Sequence, residues 1–309
     1  MAWRPRQRWQ PDLTMQIHFI GVGKMGLPMA SHFLAAGHAV SASDPSGERL
    51  ALARAQRLAV VEGADALHRA MSSADMVFSS LPHDAALLDV AAQVVTSVRK
   101  GVLFVDTSTV SLQASADVAN SCATAGIPYL RTTVSGNNKM AEAAQLTVMA
   151  SGPRAAYDAA LPLLKLLGPN QFYLGDAEQA RLMKLVVNLL IAQTSAMLAE
   201  GLALGRKGGL DWHDMWAVLG ASAVGSPILK AKSVQLSERD FTPTFTVEQM
   251  VKDLDLIIGE GKARHVPLAQ TAMTLQLMHA AIAQGDGLDD YAAVIKSVER
   301  SAGLSVDMK

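Results

Sequence analysis

Lys184 and Asn188 are the two side chains whose types and spacing best suit proton transfer. Residues four apart on a helix share one face, so an ammonium and an amide would project together. Their neighbours Leu182, Met183 and Leu185 are apolar, and removing a lysine from water brings its pKa towards the range useful for an acid or base. The alternative is a lysine whose charged end reaches solvent at the start of the helix. Spacing alone leaves both interpretations open.

A glycine turn is the second feature with chemical consequences. Gly21, Gly23 and Gly26 follow an apolar strand and open into a helical pattern. In such a turn the first glycine allows a tight bend, the second lets the backbone approach a pyrophosphate, and the third lets the helix pack closely on its strand. Free N–H groups at the helix N-terminus bind phosphate without a basic side chain. The sequence therefore predicts a dinucleotide cofactor contacted by Gly21, Val22, Gly23, Lys24, Met25 and Gly26.

Asp44 indicates which dinucleotide is bound. It directly follows the second predicted strand, 39–43, at the position where a carboxylate can accept hydrogen bonds from the adenosine ribose hydroxyls. A 2′-phosphate would be repelled there, and the next basic residue, Arg49, lies within the following helix. The sequence predicts NAD as the cofactor, with NADP possible.

The elements that position these residues alternate between short apolar runs and helical patterns. This predicts an α/β fold, an N-terminal Rossmann-type doubly wound parallel sheet, followed by an all-α C-terminal domain built on one long helix. Ligands of such sheets bind at the carboxyl ends of the strands, where Leu81, Pro82 and Thr109 stand, so we expect these residues to contact the cofactor. Ser108 and Thr109 could also cap the next helix, a role that is compatible with cofactor contact. The predicted strands cover 17–20, 39–43, 59–61, 76–80, 103–106 and 127–130.

Length and composition predict two domains and a small ligand. The boundaries are a disordered extension at 1–14, a dinucleotide-binding domain at 15–177, and a helical substrate and dimerisation domain at 178–309. Met15 is a candidate translation start. The net charge of −1 does not suggest binding to nucleic acid or a membrane surface. Cys122 is the single cysteine, which excludes an intrachain disulfide and favours the cytoplasm. Its predicted role is a small buried apolar residue.

An apolar stretch at 178–207 that contains no proline predicts one long helix. Apolar residues occupy almost every face, so we expect the helix to be buried in a helical domain and partly by another subunit, in a homodimer or homotetramer. Lys184, Asn188, Gln193 and Glu200 interrupt it too often for a membrane span. Further helices are predicted at 211–219, 227–236, 247–263, 267–284 and 290–302.

Over residues 15–304 the sequence resembles the β-hydroxyacid dehydrogenase family, which includes 3-hydroxyisobutyrate dehydrogenase and tartronate semialdehyde (2-hydroxy-3-oxopropionate) reductase. Four motifs in order carry the resemblance: GVGKMGLPMA at 21–30, TVSGNN at 133–138, KLVVN at 184–188 and KDLDL at 252–256. The resemblance implies that Lys184 is catalytic and that Asn188 binds substrate. It also implies an anion-holding substrate loop of Ser135, Gly136 and Asn137, and places Lys252 near the nicotinamide.

Three positions near the substrate loop depart from the family pattern. Arg131 replaces a usual acid, Thr133 a usual proline, and Asn137 the second glycine of the loop. Asn137 and Asn138 add donors and acceptors that could suit a more hydroxylated acid, or they could stabilise a local turn. Arg131 and Lys139 could attract a carboxylate or be solvated.

The resemblance implies hydride transfer between a nicotinamide and a small 3-hydroxy acid or semialdehyde, such as 2-hydroxy-3-oxopropionate or 3-hydroxyisobutyrate, in the cleft between the domains. Lys184 would serve as general acid and base. One alternative is a non-catalytic sensor or scaffold that holds NAD(H). Another is an imine reductase, in which an acid or tyrosine usually replaces the lysine. A phosphogluconate-type decarboxylating enzyme would carry a histidine in place of Val187. No metal is expected, because the histidines lack paired ligand spacing.

Overall fold

A computed structural model describes residues 14–306, which form two compact units, one ending at Lys184 and the other beginning at Leu185. The division falls within the long helix, slightly later than the predicted boundary at 178. The predicted extension at 1–14 lies outside the described residues, apart from Thr14.

The first unit contains an eight-stranded sheet in the order β3-β2-β1-β4-β5-β6-β7-β8. All neighbouring strands are parallel except β6 and β7, which pair antiparallel. The strands are β1 (Gln16–Ile20), β2 (Ala39–Ser43), β3 (Ala59–Val60), β4 (Met76–Ser79), β5 (Leu103–Asp106), β6 (Tyr129–Ser135), β7 (Thr147–Ser151) and β8 (Asn170–Tyr173).

This sheet confirms the predicted α/β class and corrects two details. Strands β7 and β8 were not predicted, so the sheet is not wholly parallel as expected. Strand β6 begins two residues later than predicted and continues to Ser135. Residues Leu130–Val134 are all buried. Strand β7 pairs along this part of β6, so a segment that its own sequence does not mark as a strand becomes one.

Helices connect the strands and cover the sheet. They are α1 (Gly26–Ala35), α2 (Gly47–Ala55), α3 (Ala64–Ser73), α4 (Asp84–Ser97), α5 (Leu112–Ala125), α6 (Asn138–Glu142) and α7 (Arg154–Lys165). Phe33 of α1 packs on Phe78 of β4 with ring centroids 4.8 Å apart, and Phe78 stacks on Phe19 of β1 at 5.9 Å. This aromatic cluster holds α1 against the centre of the sheet and so positions the glycine turn that precedes it.

His18 is a fully buried histidine in β1. Its ring nitrogens lie 2.8 Å from the hydroxyl of Ser41 and 3.1 Å from that of Ser43, both on β2. Burial lowers the pKa of His18 from 6.5 to about 4, because the charged imidazolium is poorly solvated there. The folded chain therefore holds this ring neutral.

We expect His18 to make stability depend on pH. Between about pH 6.5 and 4 the unfolded chain binds a proton at this ring that the folded chain does not, so the free energy of unfolding falls as the pH is lowered. Lowering the pH from 7 to 5 should cost about 2 kcal/mol through this group. Urea titrations of wild type and His18→Gln at both pH values measure the effect. Parallel losses in the two proteins would contradict the assignment.

The second unit is helical throughout its described part, apart from one isolated bridge between Thr246 and Asp290. Helix α8 (Gln179–Lys207) begins in the first unit and continues into the second. It is followed by α9 (Trp212–Ala221), α10 (Pro227–Ser237), α11 (Val247–Ala263), α12 (Ala269–Ala283), a 3-10 turn (Tyr291–Ala293) and α13 (Val294–Ser301). These bounds lie within a few residues of the predicted helices.

Helix α8 is less buried than the sequence suggests. Among the described helices it alone is long and apolar enough to cross a membrane, a property it shares with core helices of soluble proteins. Only a third of its most apolar stretch is buried. Leu190, Met197 and Leu204 are 58%, 64% and 76% exposed in the single chain, and the expected burial of this part of the helix by another subunit stays a prediction.

The end of α8 is held by a buried carboxylate in the second unit. Glu299 of α13 is fully buried and pairs with Arg206 of α8 and with Arg239. The Arg239 pair is bidentate, with bonds of 2.8 and 2.7 Å. Such a pair compensates the cost of burying the glutamate.

Candidate functional site

The glycine turn connects β1 to α1, and its three glycines have different surroundings. A Cβ on Gly21 would lie 2.3 Å from the carbonyl oxygen of Ser80, and one on Gly26 would lie 1.9 Å from that of Gly21. A Cβ on Gly23 would meet nothing within 4 Å. Gly21 and Gly26 are therefore required by the protein itself, whereas Gly23 borders open space that a ligand can approach.

The N-terminus of α1 has no side-chain cap, as is also true of α3 and α7, whereas side chains cap α2, α4, α5 and α6. The first N–H groups of an uncapped helix are available to an anion. Open space at Gly23 and uncapped donors at α1 together fit the pyrophosphate of a dinucleotide.

Asp44, at the end of β2, holds the glycine turn. One carboxylate oxygen accepts a hydrogen bond of 2.9 Å from the N–H of Val22, and the other accepts one of 2.9 Å from the N–H of Ser46. The aspartate thus connects the end of β2 to the turn. The Asp44 carboxylate therefore has a structural role in the glycine turn. Its role in ribose binding remains a prediction.

A buried polar network joins the carboxyl ends of β4 and β5. The Asp106 carboxylate accepts hydrogen bonds from the hydroxyls of Ser79 and Ser108, at 2.5 and 2.6 Å. The Ser108 hydroxyl in turn accepts one of 2.8 Å from the N–H of Leu81. The network holds the loop that contains Leu81 and Pro82 against the loop that leads to Thr109, at the edge of the sheet where the cofactor is predicted.

The structure shows whether Ser108 and Thr109 cap helix α5. Helix α5 is capped by Ser111, whose hydroxyl accepts from the N–H of Ala114. Ser108 instead binds Leu81 and Asp106, and Thr109 is half-buried. Capping is therefore not the role of either residue.

The predicted substrate loop begins where β6 ends, at Ser135. Gly136 has φ +138°, and a Cβ there would lie 2.7 Å from a Leu146 methyl group, so a larger residue is excluded. The side-chain oxygen of Asn137 accepts from the N–H of Met140 at 3.0 Å and caps α6. The Asn137 side-chain oxygen thus stabilises the local turn, and a substrate contact of this residue remains a prediction.

Two departures from the family pattern contact the start of α8. Arg131 is buried and pairs with Glu178, the residue before the helix. The Thr133 hydroxyl donates a hydrogen bond of 3.0 Å to the carbonyl oxygen of Ala180. Arg131 is therefore neither solvated nor open to a substrate carboxylate, and both side chains bind α8 to β6.

These contacts attach the start of α8 to the strand that leads into the predicted substrate loop. Glu178 contacts Arg131 and Ala180 contacts Thr133, and these two residues lie shortly before Ser135 on β6. Lys184 follows Ala180 by about one helical turn and is half-buried.

Sequence reasoning missed Arg181, one turn before Lys184. Its side chain is fully buried and donates to the Asp106 carboxylate, to the Ser108 carbonyl oxygen, to the Tyr129 hydroxyl at 3.0 Å and to the Ser115 hydroxyl at 3.2 Å. The available signal was an arginine within the apolar run of α8, since a buried charge requires partners.

Asn188 and Lys252 both contact Asp253 in the second unit. Asp253, on α11, is buried, and one carboxylate oxygen accepts a hydrogen bond from the Asn188 amide nitrogen. The Lys252 ammonium lies 2.8 Å from the other oxygen. Asp253 was not among the predicted site residues. It orients the Asn188 amide, so that the side-chain oxygen of Asn188 points away from the carboxylate.

Two further predictions concerned a cysteine and the absence of a metal site. Burial raises the pKa of Cys122 to about 12, so its thiol stays protonated and unreactive. The described residues contain no group of three or more histidine, cysteine or acidic side chains able to hold a metal ion.

Comparison with known proteins identifies two matching families. Residues 16–175 match the NAD-binding domain of 6-phosphogluconate dehydrogenase, and residues 179–298 match the family described as NAD-binding of NADP-dependent 3-hydroxyisobutyrate dehydrogenase. Together they cover most of the chain and meet near the start of α8.

Individual relatives match over nearly the whole chain. A 2-(hydroxymethyl)glutarate dehydrogenase of Eubacterium barkeri is 34% identical over 96% of this chain and 98% of its own. A chloroplastic glyoxylate/succinic semialdehyde reductase of Arabidopsis thaliana is 28% identical over 93% of this chain and 80% of its own. A Mycobacterium tuberculosis 3-hydroxyisobutyrate dehydrogenase structure superposes with a TM-score of 0.83 at 26% identity, covering 93% of this chain and 99% of that one. The chain therefore belongs to the NAD(P)-binding β-hydroxyacid dehydrogenase family.

Proposed function

We propose that this protein is an NAD(P)-dependent oxidoreductase that interconverts a small 3-hydroxy acid and its semialdehyde. The observation that carries the proposal is the attachment of the helix that bears Lys184 to the strand that leads into the Ser135 loop. The Thr133 hydrogen bond and the Arg131–Glu178 ion pair hold the start of α8 on β6, one turn before Lys184. We propose that Lys184 acts beside this loop, because a proton donor next to an anion-binding loop suits a substrate that has a carboxylate and a nearby hydroxyl or carbonyl group.

Lys184 moves the proton in this reaction. When bound, the nicotinamide supplies or accepts the hydride. In the oxidation the neutral amine of Lys184 takes the proton from the substrate hydroxyl. In the reduction its ammonium donates a proton to the carbonyl oxygen and stabilises the negative charge that develops there. Asn188, on the next turn of α8, is the proposed hydrogen-bonding partner for the substrate.

The loop of Ser135, Gly136 and Asn137 holds the substrate carboxylate. A serine hydroxyl, backbone N–H groups and the Asn137 amide supply donors for an anion, which orients the carbon that exchanges hydride. Gly136 keeps the backbone in a conformation that a larger residue cannot adopt. Substrates with an additional hydroxyl, such as 2-hydroxy-3-oxopropionate, suit the Asn137 amide better than 3-hydroxyisobutyrate does.

A panel assay at 340 nm tests the reaction. We expect turnover with at least one 3-hydroxy acid in the oxidative direction, or its semialdehyde in the reductive direction, and none with cyclic imines. NADH binding without turnover of any acid or semialdehyde would favour the non-catalytic sensor. Reduction of imines alone would favour the imine reductase alternative.

Cofactor preference gives a separate prediction for Asp44. In Asp44→Ser the repulsion of a 2′-phosphate disappears, and we expect the ratio of kcat/KM with NADP to kcat/KM with NAD to rise about tenfold, or about 1.4 kcal/mol. The ratio is the appropriate measure, because loss of the bond to Val22 N–H weakens both cofactors. Asp75 accepts a backbone N–H from Gln16 at 2.9 Å, so Asp75→Ser is the matched control. An unchanged ratio in Asp44→Ser would show that this carboxylate does not contact the adenosine ribose.

We further propose that two copies pair through the exposed apolar face of α8, formed by Val186, Leu190, Met197 and Leu204, in a homodimer or homotetramer. The spacing of four, seven and seven residues aligns these side chains on one side of the helix. Light scattering after gel filtration should give a multiple of the 32.7 kDa chain mass for wild type and one chain mass for the double variant Leu190→Lys, Met197→Lys. Val234→Lys, on the 76% exposed Val234 of α10, is the control.

We propose a cytoplasmic location, in a reducing environment. The support is that the single cysteine, Cys122, is buried and cannot form a disulfide within the chain. Fractionation of cells that express the protein with a small tag tests the location, and recovery in a secreted or membrane fraction would contradict it.

A further inference from the structure

Arg181 is the largest fully buried side chain of the described residues, and it joins three parts of the first unit. Its guanidinium contacts the end of β5 through Asp106 and Ser108, the start of β6 through Tyr129, and α5 through Ser115. Burial of the Asp106 carboxylate requires this partner, since an unpaired buried charge is strongly unfavourable. The bonds therefore hold the first turn of α8 in one position and one rotation.

The same network reaches the loops predicted to contact the cofactor. Ser108, whose carbonyl oxygen accepts from Arg181, uses its hydroxyl to hold the N–H of Leu81. Lys184 follows Arg181 by one helical turn, and a helix transmits the position of one turn rigidly to the next. The guanidinium is thus a fixed link between the loops after β4 and β5 and the lysine.

We propose that Arg181 is a positioning residue for Lys184, setting the height and rotation of its ammonium relative to the sheet edge. The proposal rests on the proposed function in so far as Lys184 moves the proton. Arg131 and Thr133 attach the helix start to β6, and the Ser151 hydroxyl binds Ala177 and Ala180 at the end of β7. Arg181 adds the attachment to Asp106 and the Ser108 loop, so its loss should let the lysine shift while the other attachments keep the chain folded.

Arg181→Lys tests this link. The lysine keeps a positive charge opposite Asp106 but cannot also reach Ser108, Tyr129 and Ser115 with a planar fork. We expect kcat on the best substrate of the panel to fall about 10- to 100-fold, as for misplaced catalytic groups, while the Kd for NADH changes less than about twofold. Arg239→Lys removes the fork from the buried pair with Glu299 in the second unit and should leave kcat unchanged.

A second readout does not depend on turnover. Reductive methylation with ¹³C-formaldehyde labels the lysines, and the Lys184 signal is assigned by its disappearance in Lys184→Arg. We expect this signal to shift in Arg181→Lys and to stay in place in Arg239→Lys. If no panel substrate is turned over by wild type, the proposed function fails, and the shift still reports on the positioning role.

A milder variant covers the case in which Arg181→Lys does not fold. Tyr129→Phe and Ser115→Ala together remove two neutral partners of the guanidinium and leave its charge paired. We expect kcat to fall about two- to fivefold, with a Lys184 shift in the same direction. Wild-type kcat together with an unmoved Lys184 signal, in whichever variant folds, would overturn the proposal.

Discussion

Replacing Lys184 by alanine is expected to lower kcat by about 10²- to 10⁴-fold, the contribution of a positioned general acid or base. The Kd for NADH should change little, because the glycine turn and the loops at Leu81 and Thr109 remain in place. Stopped-flow measurement of NADH oxidation and a fluorescence titration of NADH separate the two quantities.

Lys165→Ala is the matched control for this variant. Lys165 ends α7 and is exposed, so its removal should leave both kcat and NADH binding unchanged. A Lys184→Ala protein that retains wild-type kcat would show that another group moves the proton, and the proposed mechanism would then be wrong.

Gly26→Ala and Gly23→Ala should separate folding from cofactor binding. In Gly26→Ala the new Cβ would lie 1.9 Å from the Gly21 carbonyl oxygen and 3.1 Å from the Phe19 ring, so α1 must move off β1. We expect a loss of about 3 kcal/mol or more in the free energy of unfolding, as for severe overpacking. In Gly23→Ala the Cβ meets no protein atom, and the free energy of unfolding should stay within about 0.5 kcal/mol of wild type.

For NADH binding we expect Gly23→Ala to be the variant with the direct effect, although it is the less destabilised of the two. The Cβ of Gly23→Ala occupies the space through which the backbone approaches the pyrophosphate, so the Kd for NADH should rise about tenfold or more although the apoprotein is stable. Urea unfolding without cofactor and NADH titration measure the two effects. Gly259→Ala on α11, where a Cβ also meets nothing within 4 Å, is the control for glycine replacement itself. Unaltered NADH binding in Gly23→Ala would mean that the cofactor does not approach this glycine.

Local patterns in the sequence were sufficient for the fold class and the cofactor. The glycine spacing at 21–26 reflects the closeness of α1 to β1. A tight turn of this kind can be predicted from neighbouring residues in the sequence, because its contacts are local. The helices of the second unit were predicted within a few residues, since apolar periodicity and turn residues are also local signals. Strands β7 and β8 were not predicted, because pairing of β7 with β6 and of β8 with β7, rather than their own composition, makes them strands.

The attachment of Lys184 depends on contacts between residues far apart in the sequence. Arg131 could be read only as an altered loop residue until the fold brought Glu178 to it, and Arg181 could be read only as an interruption of an apolar helix until Asp106 and Ser108 were placed around it. A buried charge is tolerated where its partners converge, and their convergence is decided by strand order and helix packing.

The sequence by itself determined the residue types available for chemistry: a glycine turn suited to phosphate, an acid after β2, a glycine in the predicted substrate loop and a lysine on a long helix. The tertiary structure decided how they are supported. It directed the Asp44 carboxylate to the N–H of Val22, made Asn137 the cap of α6, and attached the start of the helix that carries Lys184 to β6 through Arg131 and Thr133. The physical reason is that residue types and short spacings encode local geometry, whereas burial and pairing of polar groups depend on which distant segments pack together.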